Sequence, residues 1–187
     1  QPIASIRLLR QYLHSAASSP VQIFPSYNIY FFLTETGERF GRLVPPALKY
    51  TDYCIINEIE ASRSTGIQLR AEDGALIYEN VKKVLSKLFE LGVSEWAVIH
   101  SPEGGFGMDK DGDYAECGLV YTPSGFIKGK VGAGDAFCAG VLSAAHRGLS
   151  LLDAVKLGNA AATVSLRSPG ATEAMETIEE TMRICSE

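Results

Sequence analysis

The chain lacks most of what would mark it as secreted, zinc-bound or nucleic-acid-binding. Its four cysteines, Cys54, Cys117, Cys138 and Cys185, are scattered and form no CxxC pair, which fits reduced, buried thiols better than a disulfide frame or zinc site. A basic excess is also missing. Seventeen Lys and Arg against 22 Asp and Glu leave a net charge of −5, which argues against nucleic acid or an anionic membrane surface as a general partner. Any anion must therefore be held locally. No apolar run reaches membrane-spanning length and no signal-peptide layout opens the chain, so a soluble, cytoplasmic protein is expected. The first residue is Gln1 rather than Met, as expected of a processed chain or of one with further N-terminal sequence. No low-complexity linker, charge block or repeat divides residues 1–187, which read as a single α/β domain.

Three ligand motifs fail by counting. A Walker A loop ending at Gly129-Lys130 needs Gly where Ser124 stands and Ser or Thr where Val131 stands. The dinucleotide fingerprint GxGxxG needs Gly at Phe137. A calcium loop starting at Asp109 needs Gly at Tyr114 and Glu at Val120, so Asp109, Asp111 and Asp113 read as a solvated hairpin tip.

What is present is Val131-Gly132-Ala133-Gly134-Asp135-Ala136-Phe137, a glycine-paired turn running into a small-residue helix. Glycines without a Cβ let backbone N–H donors converge on a bound group. The helix start adds unpaired N–H groups and the positive end of the dipole, a combination that suits phosphate. Asp135 does not belong in a simple anion pocket, because its carboxylate repels phosphate. Proton abstraction from a nucleophile aimed at that phosphate explains it. The competing account is a tight turn into a packed helix and nothing more.

Strands alternating with amphipathic helices predict βαβ units around a mostly parallel sheet. Helices are expected over 5–17, from 58 to 64, over 73–91 with Gly92 as C-cap, after the glycine loop as far as Gly148, from Ser150 with Asp153 in a capping-box layout, and over 177–184. Strands are expected over 21–24, 53–56 and 96–100, with an irregular aromatic stretch through Tyr27, Tyr30, Phe31 and Phe32. Residues 106–117 predict a hairpin turning at Asp111-Gly112. Small residues from Ala136 to Ala145, and again around Gly158, predict helices that approach their neighbours closely.

The run GAGDAFCAG, residues 132–140, resembles the C-terminal signature of the ribokinase-like (PfkB) carbohydrate kinases. Other segments agree in order: Asn57-Glu58-Ile59-Glu60 is similar to that family's NxxE motif, 98–105 to its strand and glycine turn near the nucleotide, 157–161 to its adenine-side helix, and Pro169-Gly170-Ala171 to its closing turn. The resemblance implies a three-layer ribokinase-like fold and transfer of the γ-phosphoryl of ATP to a hydroxyl of a sugar or sugar-like substrate. It makes Asp135 the base and gives the N–H groups of Gly132, Ala133 and Gly134 the role of anion hole. Asn57 and Glu60 would organise Mg²⁺ through its water shell, and Asn159, Gly105 and Lys130 would lie along the nucleotide. A homodimer is compatible with this reading. The family's N-terminal lid region, with most sugar-contacting residues, is not visible. A non-catalytic nucleotide-binding remnant and a kinase of a nucleoside or vitamin-like alcohol are the alternatives.

Several of these residues have a second reading. Asn57 and Glu60 also form the spacing of a helix capping box, and the two roles can coexist. Apart from the resemblance, Asn159 reads as a helix residue bonded to nearby backbone. A lone His100 after an apolar strand reads as a satisfied polar residue. Where members carry Asp-Thr before the glycine loop this chain has Gly129-Lys130, so K⁺ activation loses its support. Lys130 either replaces part of that charge or is a solvated lysine.

Overall fold

A computed structural model describes residues 23–25 and 44–183. The expected helix over 5–17, the aromatic stretch after Pro25 and Cys185 lie outside the described residues. Five strands, β1 (Ile23–Pro25), β2 (Tyr53–Asn57), β3 (Trp96–Ser101), β4 (Gly104–Asp109) and β5 (Tyr114–Gly118), form one sheet in sequence order. The helices are α1 (Pro45–Leu48), α2 (Glu58–Thr65), α3 (Tyr78–Glu90), α4 (Ala133–His146), α5 (Leu151–Ser165) and α6 (Ile178–Arg183).

The sheet is mixed, which corrects the expectation of a mostly parallel one. β1, β2 and β3 run parallel, whereas β3–β4 and β4–β5 are antiparallel. Connection length is the reason. β2 reaches β3 through α2 and α3, long enough for a crossover, while the turns after Ser101 and Asp109 are too short to return a chain to the same end. At the second turn the Asp109 carboxylate accepts from the N–H groups of Asp111 and Asp113. The acidic tip is thus a hairpin stabilised by its own side chain.

Strand alternation divides the core between the two faces. Cys54, Ile56, Ala97, Ile99 and Phe106 pack with Leu48, Ala61, Val81, Val84, Leu85 and Leu88 on one side. Ile55, Val98 and Ala115 pack with Phe137, Val141, Ala144, Leu151, Val155 and Leu157 on the other. The result is a three-layer arrangement with α1–α3 and α4–α5 on opposite faces. Among the described residues, no helix is long and apolar enough to cross a membrane.

Helix α3 starts at Tyr78 rather than at residue 73. Gly74 turns the chain at φ 87° and Arg70 bridges Leu76 as an antiparallel pair, so 70–76 is a small hairpin that takes the first turn of the expected helix. Its C-cap is Leu91, with Gly92 one residue beyond. The close helix contact is present between α4 and α5: a Cβ on Gly140 would stand 2.7 Å from the Leu157 carbonyl oxygen and 2.9 Å from Gly158 Cα. Only glycine permits that approach.

Candidate active site

The parallel strands β2 and β3 end side by side, with Asn57 paired to His100. In open α/β sheets this carboxyl edge is where ligands gather. Three turns meet there, carrying the start of α2, the β3–β4 connection and the start of α4.

Helix α2 begins on a complete capping box. The Asn57 side-chain oxygen accepts from Ile59 N at 3.0 Å and Glu60 N at 2.8 Å, and the Asn57 N–H donates to Glu60 Oε2 at 3.0 Å. The capping role read from the spacing is therefore present. It leaves Glu60 Oε1 without a hydrogen bond among the described residues. Glu60 is buried, and that burial pushes its carboxyl up to about 7; the Asn57 N–H opposes the shift, while the charges of Glu58 and Asp135 add to it. Asp135 from α4 thus acts electrostatically on Glu60 from α2, although 75 residues separate them in sequence.

Helix α4 begins differently. Its N-cap is Gly132 at φ 81° with no side-chain cap, a left-handed conformation that a Cβ disfavours. A Cβ there would also stand 2.7 Å from Ala171 Cβ, so the Pro169-Gly170-Ala171 turn seats against the loop. The Ala133 N–H reaches only the Lys130 carbonyl, at 3.5 Å, and Ala136 is the next to bond, to Gly132 O at 2.8 Å. Gly134 and Asp135 have no helical acceptor between those positions, so their N–H groups are available to an anion. The Asp135 carboxylate is exposed and raised above the ordinary aspartate range by partial desolvation.

His100 sits beneath this turn. A Cβ on Gly134 would stand 3.1 Å from its Cε1, and its ring leans on Phe137 with centroids 5.0 Å apart. Burial lowers its pKa to about 4, so it is neutral near pH 7. Its ring makes no hydrogen bond within the described residues, and since no buried side-chain nitrogen or oxygen among them lacks a partner, its nitrogens reach solvent. Packing against a ring, rather than polar pairing, accounts for its position. A lone His at the end of an apolar strand was the signal for it, and nothing in the sequence placed it against Gly134.

The remaining candidates are placed as follows. Asn159 is buried and donates from Nδ2 to the carbonyls of Cys117 at 2.8 Å and Gly118 at 3.1 Å, so it fastens α5 to the end of β5. Gly105 lies opposite both His100 and Cys117, and a Cβ there would strike Phe137 and Val155 at 2.8–2.9 Å; its lack of a side chain serves packing. Lys130 is exposed at the mouth of the loop. An ion cluster without any sequence signal borders the edge: Arg70 joins Glu58, the first residue of α2, to Glu103 in the β3–β4 turn. An open groove of about 600 Å³ lined by Tyr78, Lys82 and Tyr114 lies away from this edge, beside α3, and shares no residue with it.

The residues present fit a hydrated magnesium ion better than a fully ligated one. Among the described residues no three His, Cys, Asp or Glu side chains converge as metal ligands. Glu60 instead offers one carboxylate oxygen near the negative charges of Glu58 and Asp135, with Arg63 as the opposing charge, a place that a divalent cation could share. Magnesium characteristically binds through one or two carboxylates and keeps its waters.

The chain is similar to several known proteins over part of their length. The chain is 37% identical over 81 residues to 2-dehydro-3-deoxygluconokinase of Bacillus subtilis (strain 168), a match covering 39% of the chain and 24% of that protein. Among solved structures it is similar to 2-dehydro-3-deoxygluconokinase of Thermotoga maritima, with TM-score 0.72 and 18% identity, covering 97% of this chain and 56% of that one. Arabidopsis thaliana ribokinase complexed with ribose and ATP is also similar, with TM-score 0.64 and 22% identity over 76% of this chain and 43% of that one. At such identities the structures establish the fold alone, and the chain spans roughly half or less of each relative. The model of the pfkB family of carbohydrate kinases matches residues 30–178, and the chain belongs to that family.

Proposed function

We propose that this chain carries the catalytic base and nucleotide half of an ATP-dependent kinase that phosphorylates a hydroxyl of a sugar or sugar-like substrate. The observation that carries this reading is the unsealed start of α4, where free N–H groups and an exposed carboxylate share one helical turn. Asp135 accepts the proton of the attacking hydroxyl, and its raised pKa makes it a better base than an ordinary aspartate. The unpaired N–H groups of Gly134 and Asp135, on the turn that Gly132 and Ala133 shape, are directed at the charge that develops on the transferring phosphoryl. Neutral His100 fixes the floor of the turn without adding a charge of its own. Asn57 and Glu60 hold the magnesium water shell. Mg·ATP supplies the activated phosphoryl and neutralises its charge. Lys130, at the mouth, adds a positive charge toward the phosphates, and Asn159 keeps the end of β5 in place along the adenine side.

The names of the matched relatives point to a sugar acid or a pentose as acceptor. The test is a phosphoryl-transfer screen of the intact protein with Mg·ATP against 2-dehydro-3-deoxygluconate, ribose, nucleosides and vitamin-like alcohols. Transfer to a sugar or sugar acid, lost in Asp135→Asn, is the expected result. Transfer confined to a nucleoside or vitamin-like alcohol would reassign the substrate class. Nucleotide-stabilised melting with no transfer to any acceptor would instead make the chain a nucleotide-binding remnant. A polypeptide mass well above 20.2 kDa would supply the acceptor-binding half and weigh against that remnant.

A further inference from the structure

We infer that Arg70 is a positioning residue for the magnesium site: by clamping Glu58 to Glu103 it holds the first turn of α2, and so Asn57 and Glu60, against the β3–β4 turn. The inference rests on the reading of Asn57 and Glu60 as the magnesium pair.

All five guanidinium N–H donors of Arg70 are engaged within the protein. Nε and one Nη2 hydrogen donate to Glu58 Oε1 at 3.2 and 2.8 Å. The other Nη2 hydrogen donates to Glu103 Oε2 at 2.8 Å, and Nη1 donates to Glu103 Oε1 and, at 3.1 Å, to the Gly74 carbonyl. An arginine so consumed has no donor left for a phosphate or a substrate. Its work is structural and directional.

The clamp is mounted rigidly. Arg70 stands on the 70–76 hairpin, closed by Ala71 N–H to Ala75 O and Ile77 N–H to Leu69 O, and Leu69 beside it is fully buried. The Glu103 N–H is itself tied to Ser101 Oγ at 3.2 Å. One side chain therefore joins three segments that the backbone does not connect at this edge. Glu58 follows Asn57 directly, and the β3–β4 turn follows His100, which floors the α4 turn. Partly buried and paired on both sides, Arg70 has the fork geometry that a lysine lacks.

Charge alone and positioning predict opposite signs. Removing a positive charge beside Glu58 and Glu103 would tighten a nearby divalent cation if only the field mattered. Releasing the first turn of α2 would loosen it.

The experiment is calorimetric titration of Mg²⁺ into the intact protein in the presence of a non-hydrolysable ATP analogue, for wild type, Arg70→Met, Arg70→Lys and Glu103→Gln. Arg70→Met should weaken Mg²⁺ about tenfold, as loss of an outer support of a metal site does. Arg70→Lys should recover little of that loss. Glu103→Gln, which keeps the charge on Arg70 but weakens its fork, should fall between wild type and Arg70→Met. In turnover the Mg²⁺ concentration for half-maximal rate should rise while KM for the acceptor stays unchanged. Unchanged or tighter Mg²⁺ binding in a folded Arg70→Met overturns the proposal, as does full rescue by Arg70→Lys. If Arg70→Met does not fold, the lysine and Glu103→Gln variants decide by the same readout, unchanged affinity in both overturning it. Absence of Mg²⁺ uptake by the wild-type protein overturns the magnesium reading itself, and this clamp role with it.

Discussion

Two helices begin at the same sheet edge, and they begin in opposite ways. Helix α2 is sealed by its own side chains, with Asn57 and Glu60 satisfying three backbone N–H groups between them. Helix α4 starts on Gly132 with no side-chain cap at all. Since capping residues stabilise a helix by about 1 kcal/mol, an unsealed start is a forgone stabilisation that needs a reason. The sealed end can organise a cation through its remaining carboxylate oxygen, whereas the open end can receive an anion. Phosphoryl transfer from Mg·ATP requires both within one site.

The comparison breaks most severely at Asp135, the one acid in the first turn of the open helix. Asp135→Asn should lower kcat by about 10³-fold, within the range for loss of a positioned base, and leave ATP affinity nearly unchanged. Steady-state kinetics with a nucleotide-binding titration would check it, and wild-type turnover in the variant would end the base assignment. Gly134→Val should come next. Its Cβ would press on His100 at 3.1 Å and cover the free N–H groups, so the ATP-induced rise in Tm should vanish. A retained shift would mean that the open turn is only a route into a packed helix.

A smaller effect concerns the floor beneath the open turn. Burial holds the His100 pKa at about 4, below the ordinary 6.5. Above pH 6.5 the ring is neutral folded or unfolded, so its contribution is intact. As pH falls from 6.5 toward 4 the unfolded chain takes up a proton that the folded chain refuses, and stability is lost, on the order of 2 kcal/mol. Urea unfolding of wild type against His100→Gln should show that loss in the difference between the two proteins; parallel curves would mean that the ring is solvated.

The smallest effect tests whether sealing is merely structural. Asn57→Ala and Ser150→Ala each remove an N-cap, the latter at α5, where Ser150 Oγ accepts from Asp153 N. Each should cost about 1 kcal/mol in stability. Only Asn57→Ala should also raise the Mg²⁺ requirement. Equal behaviour of the two variants would reduce Asn57 to a cap.

Much of this was legible because it is local. The α2 box lies within four consecutive residues, the hairpin at Asp111-Gly112 within one turn, and the glycine loop within one heptapeptide, so backbone rules reach all of them. The start of α3 was misplaced because the 70–76 hairpin competes for residues whose helical periodicity is good, and Gly74 with the Arg70 bridge decides against the helix. The reversal of β4 was missed because the Pro102-Glu103 connection carries no Asn-Gly or Asp-Gly signal. The second half of Ser150's expected capping box also differs, since its hydroxyl donates to the Asp153 carboxylate at 2.6 Å.

Local chemistry alone dictated which segment becomes an uncapped glycine turn and which helix seals itself, because both depend on neighbours within a few residues. Folding decided the rest. That Glu60 feels the charge of Asp135, that His100 lies under Gly134, and that Arg70 spends every donor on two distant carboxylates depend on strands brought into register. Electrostatic and steric forces act through space, and chain spacing carries no record of such distances until the sheet has formed.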